Sequence, residues 1–275
     1  MTFDPFGDFE TRGYLRNFDG EKDLAKIKAV EHVSFLAKLD TALDQLSGIE
    51  RLSYRDILDT HKTFFRDVYP WAGQDRAQVA PDIAVSKGSV LFAHPNDARP
   101  AVEYALRMGQ DTALMAAKPG EVMGYLAYGH PFLDGNGRTI LTAHVVLAER
   151  AGISIDWAAT DKRAYLAALT DELNHPGKGH LDAYLAPFLA SAVGREGLSG
   201  HITRAPGLGG DPREPQSGNA VLGTFSDPAL QERYRHQQEQ RSGADKSAGR
   251  AVPCQMAASD YLRERARGRD PQRDR

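Results

Sequence analysis

Cysteine is almost absent: Cys254 is the only one among 275 residues. A single thiol excludes an internal disulfide framework and a cysteine-based zinc site. Long apolar runs are also missing. No stretch of about 18 uncharged apolar residues occurs, so no membrane span is expected. The first ten residues, Met1 to Glu10, are acidic and lack a basic segment followed by an apolar one. A secretory signal is therefore not expected, and the chain reads as cytoplasmic. Neither charge dominates: 34 Lys and Arg face 37 Asp and Glu, a net charge of −3. That balance gives no reason to expect specific nucleic-acid binding. No internal repeat of a solenoid or propeller is visible, and the Walker A spacing is missing.

What is present is unevenly distributed. From His201 to Arg275 there are 13 basic and 10 acidic residues, against 21 and 27 in the first 200. The same tail holds only 11 residues of the Val, Ile, Leu, Met, Phe, Trp and Tyr set in 75. Such a segment has little apolar surface to offset the entropy of ordering. The expectation is a domain over 1–197, with its core at about 10–195, followed by a basic, apolar-poor, largely disordered tail over 198–275. Within that tail two short helices are expected, over about 228–241 and 255–267, the second running into an Arg-rich terminus. The terminus has three readings: a solvated tail, a site of weak nucleic-acid affinity, or a charged signal for type IV export.

The first 200 residues show helical periodicity. Segments 22–47, 53–68, 97–116, 118–129, 136–151, 161–173 and 178–193 read as helices. In the first, Leu24, Ile27, Val30, Val33, Leu36 and Leu39 are the expected apolar stripe. Asp97 and Thr160 read as N-caps and Gly152 as a C-terminal stop. One stretch breaks the pattern: Gln78 to Phe92 holds two β-prone runs around Ser86-Lys87-Gly88 and reads as a hairpin. The fold class is all-α with one β-hairpin. His61 and His144 read as interior histidines, and Trp71 and Trp157 as core or loop anchors. Lys87 reads equally as a solvated turn residue or a phosphate or target contact.

The chemistry concentrates in His130-Pro-Phe-Leu-Asp-Gly-Asn-Gly-Arg138, between two expected helices. Gly135, Asn136 and Gly137 let the backbone turn tightly and expose N–H groups. A helix that starts there aims free donors and its positive dipole end at one point, an anion site. Arg138 adds a donor fork suited to phosphate. Asp134 can hold a Mg²⁺ that bridges phosphates. His130 can act as a general base near neutral pH. A plain helix–helix corner would use the same residue types, and residue chemistry alone does not separate the two.

These nine residues resemble the signature of Fic-domain proteins, His-x-Phe-x-(Asp/Glu)-Gly-Asn-Gly-Arg. Gly13-Tyr-Leu-Arg-Asn-Phe18, Phe65-Arg-Asp-Val-Tyr-Pro-Trp-Ala-Gly73 and Ile83 to Ala93 extend the resemblance over about 10–195. It implies a Fic-type helical bundle whose hairpin, over about 78–93, is a flap that docks target proteins. It also implies transfer of AMP from ATP, with Mg²⁺, to a Ser, Thr or Tyr hydroxyl of a protein. Carried over by position, His130 deprotonates the hydroxyl and Asp134 holds Mg²⁺. Gly135, Asn136 and Gly137 line the anion hole, Arg138 steadies the phosphates and Phe132 fixes the loop. Ile83, Val85, Ser86, Lys87 and Gly88 clamp the target by strand addition. Asn174 and His175 are candidates for an adenine-side loop.

The chain departs from the pattern at Leu141, where many AMP-transferring relatives carry a second Arg. That leaves another nucleotide or phosphate-containing donor as an alternative. Gly137, in contrast, is unlike the branch that phosphorylates its targets. The Leu-Asp-Gly-Asn-Gly-Arg-Thr-Ile run and Gly152 to Trp157 are similar to bacterial FicT toxins, which implies DNA gyrase and topoisomerase IV as possible targets. For control, the family's inhibitory helix carries (Ser/Thr)-x-x-x-Glu-(Gly/Asn). Only Glu196 precedes Gly or Asn here, and Ala192 replaces the Ser or Thr. A separate small antitoxin supplying the Glu helix is the preferred expectation over an internal inhibitor at Glu196. The remaining alternative is a secreted effector or adaptor that acts by binding alone.

Overall fold

A computed structural model describes residues 2–205 and 219–247. The helices are α1 (Phe9–Arg12), α2 (Leu24–Ser47), α3 (Tyr54–Phe65), α4 (Arg76–Val79), α5 (Pro95–Gln110), α6 (Thr112–Ala117), α7 (Pro119–Gly129), α8 (Asn136–Arg150), α9 (Lys162–Asn174), α10 (His180–Leu185), α11 (Leu198–Thr203) and α12 (Pro228–Ser247). Short strands complete it: β1 (Ile83–Lys87), β2 (Val90–Leu91), β3 (Ile153–Ile155), β4 (Leu189–Ser191) and β5 (Ala220–Thr224). The mainly helical fold with a hairpin agrees with the sequence.

The bundle is built around α7, every residue of which is buried. A helix that is apolar on all sides belongs in a core, and α5, α8, α9 and α10 pack around it. On the far side of α8, α2 and α3 pair. Asp23 caps α2 by accepting from the N–H groups of Ala25 and Lys26, and Ser53 with Asp56 forms a capping box on α3. Phe35 and Phe64 meet edge-to-face with centroids 5.0 Å apart at the α2–α3 crossing. Burying each such side chain contributes about 2–3 kcal/mol.

Several expectations are corrected. In α2 the core face is Ile27, Glu31, Phe35, Leu39, Leu43 and Leu46, whereas Leu24, Val30, Val33 and Leu36 are exposed. A three-residue step drifts around a 3.6-residue helix, so the stripe 24-27-30-33-36-39 cannot stay on one face. The helix expected over 97–116 divides at Asp111, which caps α6 through the N–H groups of Ala113 and Leu114. The N-cap of α5 is His94 rather than Asp97, and that of α9 is Asp161 rather than Thr160. The helix expected over 178–193 stops at Leu185. Pro187 leads into a 3-10 turn, and β4 then pairs antiparallel with β3.

The packed core also runs past residue 197, because α11 places Leu198 and Ile202 in it. Of the tail, the described part folds where mainly irregular chain was expected. β5 pairs with β1, and α12 covers and extends the helix expected over 228–241. Three of the tail's apolar residues gather here: Phe225, Leu230 and Tyr234 pack with Ala84 and Leu91 of the hairpin. The helix expected over 255–267 lies outside the described residues. No described helix is long and apolar enough to cross a membrane.

His61 and His144 are interior, as the sequence suggests. His61 accepts the Gly73 N–H at 3.0 Å on Nδ1, leaving Nε2 to donate to the Asp134 carbonyl at 3.1 Å. Burial pushes them down to about 3 and about 4 respectively. Both stay neutral in the fold but take up a proton below pH ~6.5 when unfolded. The stability they contribute is full above that pH and is lost as pH falls towards their folded values. Urea titrations at pH 7 and pH 5 should therefore differ by about 2 kcal/mol or more, with the acidic sample weaker. Equal midpoints would refute the neutral burial of these rings.

Candidate active site

The loop from His130 to Gly135 joins the end of α7 to the start of α8. His130 caps α7 in the left-handed region, φ 40°, which a non-glycine residue rarely adopts. Such a conformation costs of order 1–3 kcal/mol and persists only where the surroundings enforce it. Arg76 enforces it. This wholly buried side chain donates from Nε to the His130 carbonyl at 2.7 Å and from Nη2 to that of Ala93 at 2.7 Å. Its own N–H donates to the Pro131 carbonyl at 2.7 Å. Asn136 ties the other side: its Oδ1 accepts the Phe132 N–H at 2.9 Å, and its Nδ2 donates to the Phe132 carbonyl at 2.7 Å. The Asn136 side chain thus faces back into the loop, leaving only its backbone for an anion hole. Phe132 is fully buried and stacks on His61 at 3.8 Å.

Gly135 has φ 76°, and a Cβ there would lie 2.4 Å from the Phe65 ring. A Cβ at Gly137 meets nothing within 4 Å. The first turn of α8 therefore faces open space, with backbone donors free for an anion.

Four charged groups meet at this mouth. Asp134 accepts from Lys28, from the Tyr14 hydroxyl at 2.9 Å and from its own loop's Gly135 N–H at 2.7 Å. Arg138 pairs with Glu31, which also receives the Tyr69 hydroxyl and Lys28, and its guanidinium lies over Phe65 at 4.7 Å. Burial alone would raise the Asp134 pKa, but Lys28 and Arg138 outweigh it and hold the carboxylate well below its usual range. Burial likewise opposes the charge on Lys28, and Asp134 with Glu31 more than restores it. Sequence reasoning missed Lys28, Glu31, Tyr14 and Arg76. The exposed Val30 and Val33 that misled the helical stripe also concealed Glu31, and no local pattern marks a buried arginine.

The His130 ring stacks flat on Phe92, with centroids 3.6 Å apart and planes 7° apart. Burial first, then the nearby charges of Arg76 and Lys87, lower its pKa well below the usual histidine value. Its Nε2 accepts from the Asn219 amide at 3.1 Å, the acceptor state required of a base.

The other candidates fall elsewhere. In the hairpin, Ala84, Val85 and Ser86 are buried, Ile83 and Lys87 are half-buried, and Gly88 turns at φ 59° in the open. Leu141 is buried in the core, so α8 offers no second arginine. Arg150 instead donates to the carbonyls of Leu46 and Ile49 at the end of α2. Among the described residues, no hydrogen bond or ring contact joins Asn174 or His175 to the 130–138 loop. The His175 ring lies against the His180 ring, with centroids 5.8 Å apart. Glu196 is exposed beside Arg195, which pairs with Asp44. Asp44 lies 13 residues along α2 from Glu31, about 20 Å at the helical rise. Glu196 is therefore remote from Arg138 in this structure.

A bundle with this hairpin and anion loop defines a Fic fold. Residues 51–148 match the Fic/DOC family, and the chain carries a Fic/DOC-family domain. It is 32% identical over 170 residues to the protein adenylyltransferase VbhT of Bartonella schoenbuchensis, covering 58% of this chain and 34% of that one. It is 27% identical over 164 residues to the probable protein adenylyltransferase y4lH of Sinorhizobium fredii, covering 56% of this chain and 81% of that one. The chain thus spans about a third of VbhT's length. The Fic domain of a putative cell filamentation protein from Bartonella quintana, solved with ADP, superposes with a TM-score of 0.52 at 20% identity, over 66% of this chain and 92% of that one. BepC of Bartonella tribocorum, solved with AMPPNP, gives 0.50 at 17%, over 64% and 91%. These two likenesses support the fold.

Gly135→Ala should lower stability by about 2 kcal/mol or more, through its left-handed backbone and the Phe65 clash, while Gly137→Ala should stay within about 1 kcal/mol of the parent. Paired urea titrations measure the contrast, and equal losses would contradict the loop geometry.

Proposed function

We propose that the chain is a protein adenylyltransferase that moves AMP from ATP to a hydroxyl side chain of a target protein. The observation that carries this is the placement of a neutral, acceptor-state His130 beside an open helix N-terminus flanked by Asp134 and Arg138. The names of the two curated relatives and the nucleotides bound in the two Fic structures support it. The target oxygen attacks the α-phosphorus, its proton passes to His130 Nε2, and pyrophosphate leaves. The α8 N–H groups and Arg138 stabilise the developing phosphate charge, so positioning and electrostatics supply the rate.

Magnesium fits the site only as a phosphate-held ion with one protein carboxylate. Among the described residues no group of three or more His, Cys, Asp or Glu could hold a metal, and the neighbouring Glu31 carboxylate is already taken by Arg138 and Tyr69. One carboxylate plus substrate phosphates is a usual arrangement for Mg²⁺, which would neutralise phosphate charge. Lys28 must release the Asp134 oxygen that it now holds.

The finer reading is the toxin of a toxin–antitoxin pair acting in the cytoplasm, with DNA gyrase or topoisomerase IV as targets. In this reading an antitoxin's inhibitory Glu helix would pack on the exposed Val30, Val33 and Leu36, which share one sector of α2. A second reading, transfer from another nucleotide, is favoured by Leu141, whose burial leaves the phosphate grip to Arg138 and Lys28.

Incubation with Mg²⁺ and ATP labelled on the α-phosphate in bacterial lysate should label a protein, and His130→Ala should cut the rate at least ~100-fold. Because His130 works as a neutral base with a lowered pKa, the acid limb of the rate should lie below pH ~6.5. Label that is absent, or unchanged in His130→Ala, would end this reading. Label from another nucleotide in preference to ATP would favour the second.

A further inference from the structure

The hairpin edge where strand addition would place a target is already taken. β5 pairs antiparallel with β1, giving the sheet order β2-β1-β5. Ile83 faces Thr224, Ala84 faces Gly223, Val85 faces Val221 and Ser86 faces Ala220, with a bulge between Ala84 and Val85. The residue before this strand reaches the reacting centre. Asn219 Nδ2 lies 3.1 Å from His130 Nε2 and donates to the Leu133 carbonyl at 2.9 Å.

The segment is anchored beyond the strand. The Phe225 N–H donates to the Asp82 carbonyl at 2.8 Å, and the Phe225 ring is buried against Tyr234 and the hairpin. Tyr234 donates to Asp97 at 2.8 Å, and Gln237 to the Leu91 carbonyl at 2.8 Å. Farther along α12, Arg241 is buried over the Tyr128 ring at 3.5 Å and donates to the Leu173 carbonyl at 2.8 Å. Ordering a buried cation is costly unless it is paired, so this is a built docking surface and not a chance contact.

We propose that residues 219–224 are a built-in pseudosubstrate. The chain's own strand lies where a target strand would pair, and a carboxamide stands at His130 where a target would present its hydroxyl. The amide offers no oxygen nucleophile with a proton for His130 to take. Its N–H keeps Nε2 in the acceptor state, so the base stays ready while the dock is closed. As part of the same chain the segment acts at an effective concentration of about millimolar, which a separate target must overcome. The inhibitory meaning rests on the AMP-transfer reading above; the seating of the segment does not.

The test uses the full chain with Asn219→Ser, Val221→Pro and Phe225→Asp. A serine side chain at 219 converts blocker into substrate. Its Oγ forms a bond to the α-phosphorus, the bond to the β-phosphate oxygen breaks, pyrophosphate leaves and the hydroxyl proton goes to His130 Nε2. With ATP and Mg²⁺, mass spectrometry should find one AMP on residue 219 of Asn219→Ser. The rate should be independent of protein concentration, and the modification should vanish when His130→Ala is added. Val221→Pro locks φ opposite Val85 next to the bulge and so disturbs the ladder, and Phe225→Asp removes a buried anchor. Both should raise lysate labelling by about fivefold or more over the parent. Hydrogen exchange should show the amides of 220 and 222–224 protected, taken together, at least ~10-fold in the parent relative to Val221→Pro. Unprotected amides in the parent would overturn the seating. Labelling of targets by Asn219→Ser with no AMP on residue 219, or equal target labelling by the parent and both loosened variants, would overturn the pseudosubstrate role. Protection without transfer by any variant would overturn the AMP-transfer reading and support the seating.

Discussion

Much of this site hangs on one guanidinium that does not meet solvent. Arg76 gathers the carbonyls of Ala93 and His130 through its side chain and that of Pro131 through its own N–H. Those three belong to the exit of the hairpin, the end of α7 and the start of the loop. Burial holds the Arg76 pKa down to about 10, yet the guanidinium stays charged near neutrality, and the carbonyl dipoles around it repay part of its desolvation. Where backbone turns left-handed at a non-glycine residue, something must enforce it. Here one charge serves twice: it pins the His130 carbonyl and, after burial itself, is the next cause that disfavours a proton on the ring.

The second constraint is the polar seam between α2 and α8. Lys28 and Glu31 come from a helix far from the loop in sequence, yet they satisfy Asp134 and Arg138 and tie the loop to the bundle. Buried ion pairs add little net stability but are costly to leave half-made. The seam therefore fixes geometry more than it holds the fold together. It also means that an arriving nucleotide exchanges partners with charges already in place.

The local chemistry of the site was legible in the sequence and its setting was not. His130, Asp134, Gly135, Gly137 and Arg138 lie in one run, so the turn, the helix start and the carboxylate could be read together. Asn136 belongs to the same run, but its side chain serves the loop rather than the anion. That distinction depends on where the Phe132 backbone sits, which no local pattern reveals. The helices over 53–68, 118–129 and 136–151 were readable because their apolar residues follow the helical period or fill it entirely. The stripe in α2 failed because its apolar residues are spaced by three while the buried face includes a glutamate. The tail was hardest. Its average composition is poor in apolar residues, but five of them fall between Val221 and Tyr234. A strand that pairs with a partner far away in sequence owes its existence to that partner.

The flat stack of Phe92 on His130 links two events that chemistry alone would treat as separate. Phe92 leaves the hairpin directly after β2 and donates its N–H to the Val85 carbonyl at 3.1 Å, within the strand that pairs outward. The ring that would accept the proton therefore leans on the same ladder that receives an extended chain. A shift of that ladder is felt at the imidazole within one side chain's length. A hydroxyl that drifts in without pairing meets a ring whose aim is governed from elsewhere, so selectivity here resembles a key check at the door frame more than a fit inside the lock.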